Sequence, residues 1–437
     1  MTGLQLITQL LNCNGIKVND FSLDHNEMKI HLWVKPHKNG ARCPDCGRRC
    51  ELIKNANRVE RTWLDMPSGD WDVTFHYCPR EILCPTHGRV QEVVPWASPY
   101  SRVTHRFEHL VLAYASVMTL TAASGLLRVP TSTLSNILHK SIHRAREGHR
   151  ITNLKYIGID EISYEKGRKF ATIVYDLERS CVIWVGKGKS RETIDHFFEN
   201  ILGVEAALKI KQASCDLGET YIGAIKKYCK NATLVLDRFH VVKLLNEAVD
   251  EVRKEEWRKL QGAEKKAMKG LRWLLYRHSR TRSRAQSQLL KGLARSNGRI
   301  HRAWVLKDEF EQFWKYKQKK RAEDFLRAWI TRTLRSRIDP MRKFAKTMRR
   351  HFENLVTFSK TRLTNAIAEG LNRILKIIKN RASGYRNLDS YSDMIYLTVG
   401  DVDISAQIPD EFRASSADQL LARSSGRGYV YDVGRSG

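Results

Sequence analysis

The sequence predicts a multidomain chain of mixed class, α+β followed by α/β, in which an α/β core is interrupted by an all-helical insertion. Three observations point there. Apolar residues alternate with period two through much of the first hundred residues. Strand-like runs separated by helical patterns follow over 155–240. Residues 241–360 are then almost wholly helix-forming and strongly basic, with 33 Lys and Arg against 13 Asp and Glu. That block holds 20 of the 29 excess positive charges of the 437-residue chain. So large an excess repels itself unless a polyanion offsets it, which favours nucleic acid as partner, with a membrane surface second.

Within residues 1–100, Met28-Lys-Ile-His-Leu-Trp-Val34 and Trp71-Asp-Val-Thr-Phe-His-Tyr77 read as half-buried strands. Cys43-Pro-Asp-Cys46-Gly and Cys84-Pro-Thr-His87-Gly are two matched knuckles. A two-residue spacer lets one tight turn present two ligands, and two turns complete the four N/S donors of tetrahedral zinc. Cys50 and Cys78 are reserve ligands. A closed four-ligand site leaves no position for water, so this zinc is expected to be structural. The other cysteines, Cys13, Cys181, Cys215 and Cys229, read as packing residues in a reducing compartment.

Residues 101–150 turn helical. Leu120 to Val129, then Pro130-Thr-Ser, then Thr133 to Lys140 fits helix, turn, helix. Ser132, Thr133, Ser135, Asn136 and Lys140 are expected to face the major groove or its phosphates. Just before it, His105-Arg-Phe-Glu108-His109 matches a zinc-peptidase pattern, and in this basic helical setting is expected to be solvated or phosphate-facing. Gly186-Lys-Gly-Lys-Ser190 falls short of a phosphate-binding loop because position 183 is Ile.

Over 151–240 the strand-like runs are Tyr156 to Ile159, Phe170 to Tyr175, Cys181 to Val185 and Ala232 to Leu236. Asp160 ends the first of these, Asp216 follows another plausible strand, and Glu369 sits on an amphipathic helix around 364–380. Two acids at strand ends and a third on a helix can hold two divalent cations about 4 Å apart. Oxygen ligands suit Mg²⁺ or Mn²⁺. By pattern alone Glu161, Asp176 and Asp237 compete for the role. The insertion carries Trp257, Trp273, Trp304, Trp314 and Trp329; most should pack in its core, with one available to stack on a displaced base. Residues 361–404 return to the core, and 405–437, rich in Ser, Gly and Arg, read as a flexible tail. No run is apolar enough to span a bilayer and no signal peptide is apparent, so a cytoplasmic, nucleoid-associated protein is expected.

Several stretches in this order resemble the insertion-sequence DDE transposases of the ISL-three family along almost the whole chain. They are the first knuckle, Tyr156-Ile-Gly-Ile-Asp-Glu161, Val235-Leu-Asp-Arg-Phe-His-Val-Val-Lys243, Ala368-Glu-Gly-Leu-Asn-Arg-Ile-Leu-Lys376 and Lys379-Asn-Arg-Ala-Ser-Gly-Tyr-Arg-Asn387. The resemblance implies an RNase H-like core with the helical insertion between the second and third acids. It also implies a zinc ribbon and helix-turn-helix that read terminal inverted repeats. Asp160, Asp216 and Glu369 become the three acids, with Asp237 the rival for the second, because Leu217-Gly-Glu separates Asp216 from Thr220-Tyr221. Lys376, Lys379 and Arg381 are expected to hold phosphates beside the metals. Double-stranded DNA and at least a second copy of the chain are the implied partners. The alternative function is a sequence-specific regulator whose core no longer catalyses.

Overall fold

The computed structural model describes residues 3–11, 16–36, 41–54, 58–165, 169–262, 265, 270–277, 281–361 and 366–404. The expected tail at 405–437 lies outside the described residues. Two compact units divide the chain: one comprises Met1–His149 with Leu375–Gly437, the other Arg150–Ile374. The division falls inside the helix Ala366–Arg381. Among the described residues no helix is long and apolar enough to cross a membrane.

The first unit opens with a helix, Gly3–Leu10, that strand periodicity did not foretell. Strands β1 (Ile16–Asp24), β2 (Lys29–Pro36), β4 (Arg61–Ser68) and β5 (Trp71–Tyr77) form a sheet in the order β1-β2-β5-β4. Alternation decides which face is inside: Leu32, Val34, Val73 and Phe75 are buried while His31, Trp33, Thr74 and His76 point the other way. A smaller sheet joins β3 (Glu51–Leu52), β6 (Glu81–Cys84) and β7 (Gly88–Gln91), with Cys84 opposite Gly88 at the hairpin end. Three helices follow, His105–Val117, Leu120–Leu127 and Thr131–Arg146. Thr104 and Thr119 cap the first two, each side chain accepting the N–H three residues on. Arg128 takes the left-handed conformation (φ 55°) that ends the second helix and turns the chain. The third begins at Thr131, two residues earlier than the sequence suggested, with Pro130 as N-cap. Phe107, Leu110, Val111, Ala123, Leu127, Leu134 and Ile137 close the core of this trio. The helix Leu388–Val399 lies along Thr131–Arg146: His139 meets Asp393 at 2.9 Å, and the Arg146 guanidinium stacks 3.5 Å above the Tyr396 ring.

The second unit is built on one five-stranded sheet. Its strands β8 (Tyr156–Glu165), β9 (Lys169–Asp176), β10 (Cys181–Lys187), β11 (Gln212–Cys215) and β12 (Thr233–Leu236) lie in the order β10-β9-β8-β11-β12. The first three pair antiparallel; β8, β11 and β12 run parallel. The short parallel strands are buried throughout their apolar positions, as parallel strands covered on both faces are. From Arg238 to Thr361 every described element is helical, beginning with the long helix Arg238–Lys259. A single hydrophobic cluster runs from Ile157, Ile159 and Val174 in the sheet through Val241, Leu245 and Val249 to Phe310, Trp329 and Phe344. The helical block therefore shares its core with the sheet that it follows.

Candidate functional site

The parallel part of the second unit's sheet brings carboxylates together. Ile159 pairs with Cys215, and Cys215 pairs with Leu236. Asp160, Asp216 and Asp237 are thus the next residues along three adjacent strands, at the carboxyl end of their parallel ladder, where open α/β sheets bind ligands. One expectation needs correction: β8 does not end at Asp160. It continues antiparallel to β9 as far as Glu165, because the hairpin partner extends further than the parallel one.

Asp160 is buried, and its two oxygens accept from the Glu161 N–H (2.8 Å) and the Asn372 amide (2.5 Å). Burial raises its carboxyl above the ordinary value, opposed by the Glu161 N–H, the His240 charge and the Asn372 amide, while the Asp216 charge adds to the rise. Glu369 is exposed, yet its carboxyl is also raised, by partial desolvation and by Asp237 and Asp160, with His240 and Arg238 opposing. Asp160 is therefore within electrostatic reach of Asp216 and Glu369, and Glu369 of Asp237, with His240 opposing the rise at both Asp160 and Glu369 and Arg238 at Glu369. Asp216 is half-buried and accepts from the Gly218 N–H at 2.9 Å. Asp237 is engaged otherwise. One oxygen accepts from the Phe239 N–H (2.8 Å) as the N-cap of Arg238–Lys259, and the other lies 2.8 Å from His240 Nδ1.

Two contributors were not singled out from the sequence. His240 is raised by its bond to Asp237, with burial opposing and the Asp160 and Asp216 charges assisting. Asn372, one turn beyond Glu369, links Asp160 to the buried Tyr175, whose hydroxyl donates to Asn372 Oδ1 at 2.5 Å. Both stand inside the quoted motifs, but only the folded chain gives them partners. Gly158 lets this helix approach the sheet. A Cβ there would sit 3.0 Å from Leu177, 3.4 Å from Tyr175 and 3.6 Å from Ala368.

In the first unit, Cys43, Cys46, Cys84 and His87 bring their ligand atoms within 4.8 Å of one another. Cys43 Sγ is 3.5 Å from His87 Nδ1, and Cys46 Sγ is 3.6 Å from Cys84 Sγ. Gly47 and Gly88 both adopt positive φ, 68° and 69°, as the turn after each knuckle requires. Against the effect of burial, the His87 and Thr86 N–H groups and the neighbouring ligands hold the Cys84 thiol down at about 6. Cys50 stands beside the four, its Sγ donating to the Arg48 carbonyl at 3.3 Å; Cys78 is not among them. Among the described residues this is the sole convergence of three or more such ligand atoms so close together, so no three carboxylates of the second unit approach one another to that degree.

A family model described as a transposase, of the ISL3 DDE type, matches residues 157–395, which include all four carboxylates. A second, described as the helix-turn-helix domain of transposase family ISL3, matches 92–142. The chain belongs to the ISL3 family of transposases. It is 28% identical to the transposase for insertion sequence element IS1001 of Bordetella parapertussis over 366 residues, 83% of this chain and 89% of that one. It is 26% identical to the transposase for insertion sequence element IS1557 of Mycobacterium tuberculosis over 382 residues, 82% and 85% of the two chains. Among solved structures, the Drosophila P element transposase strand transfer complex aligns with a TM-score of 0.36 and 11% identity, covering 69% of this chain and 93% of that one. That likeness is too slight to bear on the fold.

In this ISL3-family transposase the last helix of the helix-turn-helix exposes Ser132, Asn136 and Lys140, while Thr133 and Ser135 are half-buried. Ser135 borders a cavity of about 310 Å³ with Met118, Leu138 and Arg381. Lys376 is exposed and Lys379 half-buried. Arg381 differs from expectation: its guanidinium donates to the Ser116 and Ala115 carbonyls at 3.0 and 3.2 Å, closing the C-terminal end of His105–Val117. His105, Glu108 and His109 also differ, being buried and not solvated. Glu108 accepts from the Ser141 hydroxyl at 2.6 Å and pairs with Arg144, which satisfies it inside the helical trio. Of the insertion tryptophans, Trp314 and Trp329 are core residues, Trp304 is half-buried, and Trp257 and Trp273 are exposed, at 38% and 67%.

Proposed function

We propose that this insertion-sequence transposase binds the terminal inverted repeats of its element and cuts and joins DNA at the carboxylate cluster, as at least a dimer on its double-stranded substrate. Asp160, Asp216 and Glu369 are the acids that would hold two Mg²⁺ or Mn²⁺ ions. The observation that carries this reading is the register of the parallel strands, which sets Asp160 beside Asp216, with Glu369 on the helix whose Asn372 donates to Asp160. The Asp160 and Glu369 carboxyls, raised by desolvation and by neighbouring acids, fit a divalent cation, which relieves both effects. Asp216 is preferred to Asp237 because both Asp237 oxygens already serve the cap and His240. The antiparallel β10-β9-β8 order followed by parallel β11 and β12 supports an RNase H-like core over about 151–240. The helical block lies between it and the helix Ala366–Arg381 that carries Glu369, while residues from Leu375 onward group with the first unit.

When bound, such ions supply a lowered pKa for the attacking water or 3′-hydroxyl and stabilise the leaving oxygen. The chain's own residues orient and restrict. Asp160 is fixed by two N–H donors, and Asp237 holds His240 at the cluster. The exposed Ser132, Asn136 and Lys140 would reach base edges and phosphates, Thr133 and the basic insertion would grip the backbone, and Lys376 and Lys379 would add further phosphate contacts. The Cys43, Cys46, Cys84 and His87 cluster would hold structural zinc. Thiolate and imidazole donors at tetrahedral spacing suit that ion and leave it no reactive position.

Asp160→Asn and Glu369→Gln test the assignment. Each is expected to lower Mg²⁺-dependent strand cleavage and transfer by at least about a thousandfold, with end binding retained in a mobility-shift assay. Cleavage that survives both changes would overturn the site.

A further inference from the structure

We propose that Asn372 and Tyr175 are positioning residues that set the first acid for metal and fix its separation from the third. This rests on the reading of Asp160 as a metal ligand.

The contacts have only one consistent polarity. An ionised carboxylate only accepts, so the Asn372 group facing Asp160 Oδ2 at 2.5 Å must be its NH₂. The amide oxygen then faces Tyr175, whose hydroxyl must be the donor at 2.5 Å. The amide cannot flip without opposing two acceptors to each other, and Tyr175, fully buried on β9, cannot swing away. With the Glu161 N–H on Oδ1, one lone pair of each Asp160 oxygen is taken and its plane is fixed; the remaining pairs are left for a cation.

The same link is mechanical. Asn372 stands three residues after Glu369, on the same helix face. Strand β9 pairs Tyr175 with Gly158, and the missing Gly158 side chain admits Ala368. Small residues thus set how near the helix comes, and the Tyr175–Asn372–Asp160 chain sets its rotation and its register along the strand. Glu369 is carried to its place relative to Asp160 by that fastening.

The test uses the full-length chain with Mn²⁺ as probe, bound ion being followed by electron paramagnetic resonance. Asn372→Ala is expected to weaken Mn²⁺ binding about tenfold or more, and Tyr175→Phe by a smaller factor. Thermal midpoint and end binding should stay near wild type, and excess Mn²⁺ should restore part of the cleavage rate. A purely structural role would instead lower the midpoint and leave the affinity of the folded fraction unchanged, which would overturn the proposal. If Asn372→Ala does not fold, Tyr175→Phe, which removes one oxygen, decides alone: unchanged Mn²⁺ affinity refutes the link. Asp160→Asn separates the two readings. If it binds Mn²⁺ as wild type does, the metal-ligand assignment itself falls. If it loses Mn²⁺ while both positioning variants keep it, only the positioning role falls.

Discussion

His105 is held uncharged inside the helical trio. Burial, reinforced by the Arg144 charge, pushes it down to about 4; Glu108 stands 4.0 Å away but is already paired with Arg144. In the unfolded chain the ring takes a proton near pH 6.5. The stability tied to its neutral form is therefore whole above pH 6.5 and is lost as pH falls towards 4, to a total of about 3 kcal/mol. A His105→Gln chain, which cannot titrate there, should show a smaller fall in urea midpoint between pH 7 and 5 than wild type; equal falls would sink the idea. The sequence concealed this. The pattern His105-Arg-Phe-Glu108-His109 reads as a polar surface, and nothing local reports that the helix is covered on nearly every side. Asp160 and Glu369 were singled out because their motifs are distinctive. Asn372 shares the Glu369 motif, yet its role depends on Tyr175, 197 residues away in sequence.

At the level of elements, periodicity was a sound guide wherever one face is buried. Trp71–Tyr77 is a strand over the residues whose alternation predicted it. It was a poorer guide to ends, because ends are set by neighbours: β8 runs past Asp160 since β9 is there to pair with it. Arg381 is a similar case. Composition suggested a phosphate ligand, but the guanidinium satisfies the last carbonyls of His105–Val117 from a distant part of the chain. Removing it leaves Ala115 and Ser116 oxygens without that donor. Arg381→Ala should cost about 1.5–3 kcal/mol, seen as a lower urea midpoint. Lys376→Ala, on the exposed side of the same helix, should leave the midpoint within about 0.5 kcal/mol. If the two variants are equally stable, the cap is not what holds that end.

For the whole molecule the charge of +29 sets how it meets DNA. Each phosphate neutralised releases counterions, so log affinity should fall linearly with log salt, with a slope of about −0.9 per contact. Lys140→Ala should reduce that slope by about one and weaken all sequences alike, whereas Asn136→Ala should flatten the preference for the element's ends. A Lys140 variant with an unchanged slope would remove that residue from the phosphate surface. The charge and the block that carries it were legible from composition; the sharing of one core between block and sheet was not, since it depends on which apolar helix faces meet.

The ladder pairing of β8, β11 and β12 also bears on how such a chain can change length over generations. Side chains alternate along a strand, so adding or deleting one residue between Lys211 and Cys215 would turn Asp216 to the opposite side of the sheet. Beyond Asp237, whose N–H still donates to the Cys215 carbonyl at 3.0 Å, no ladder fixes the count. Length variation among functional descendants should therefore gather after the third parallel strand, where the helical block stands, and be absent from the few residues that count out the pairing.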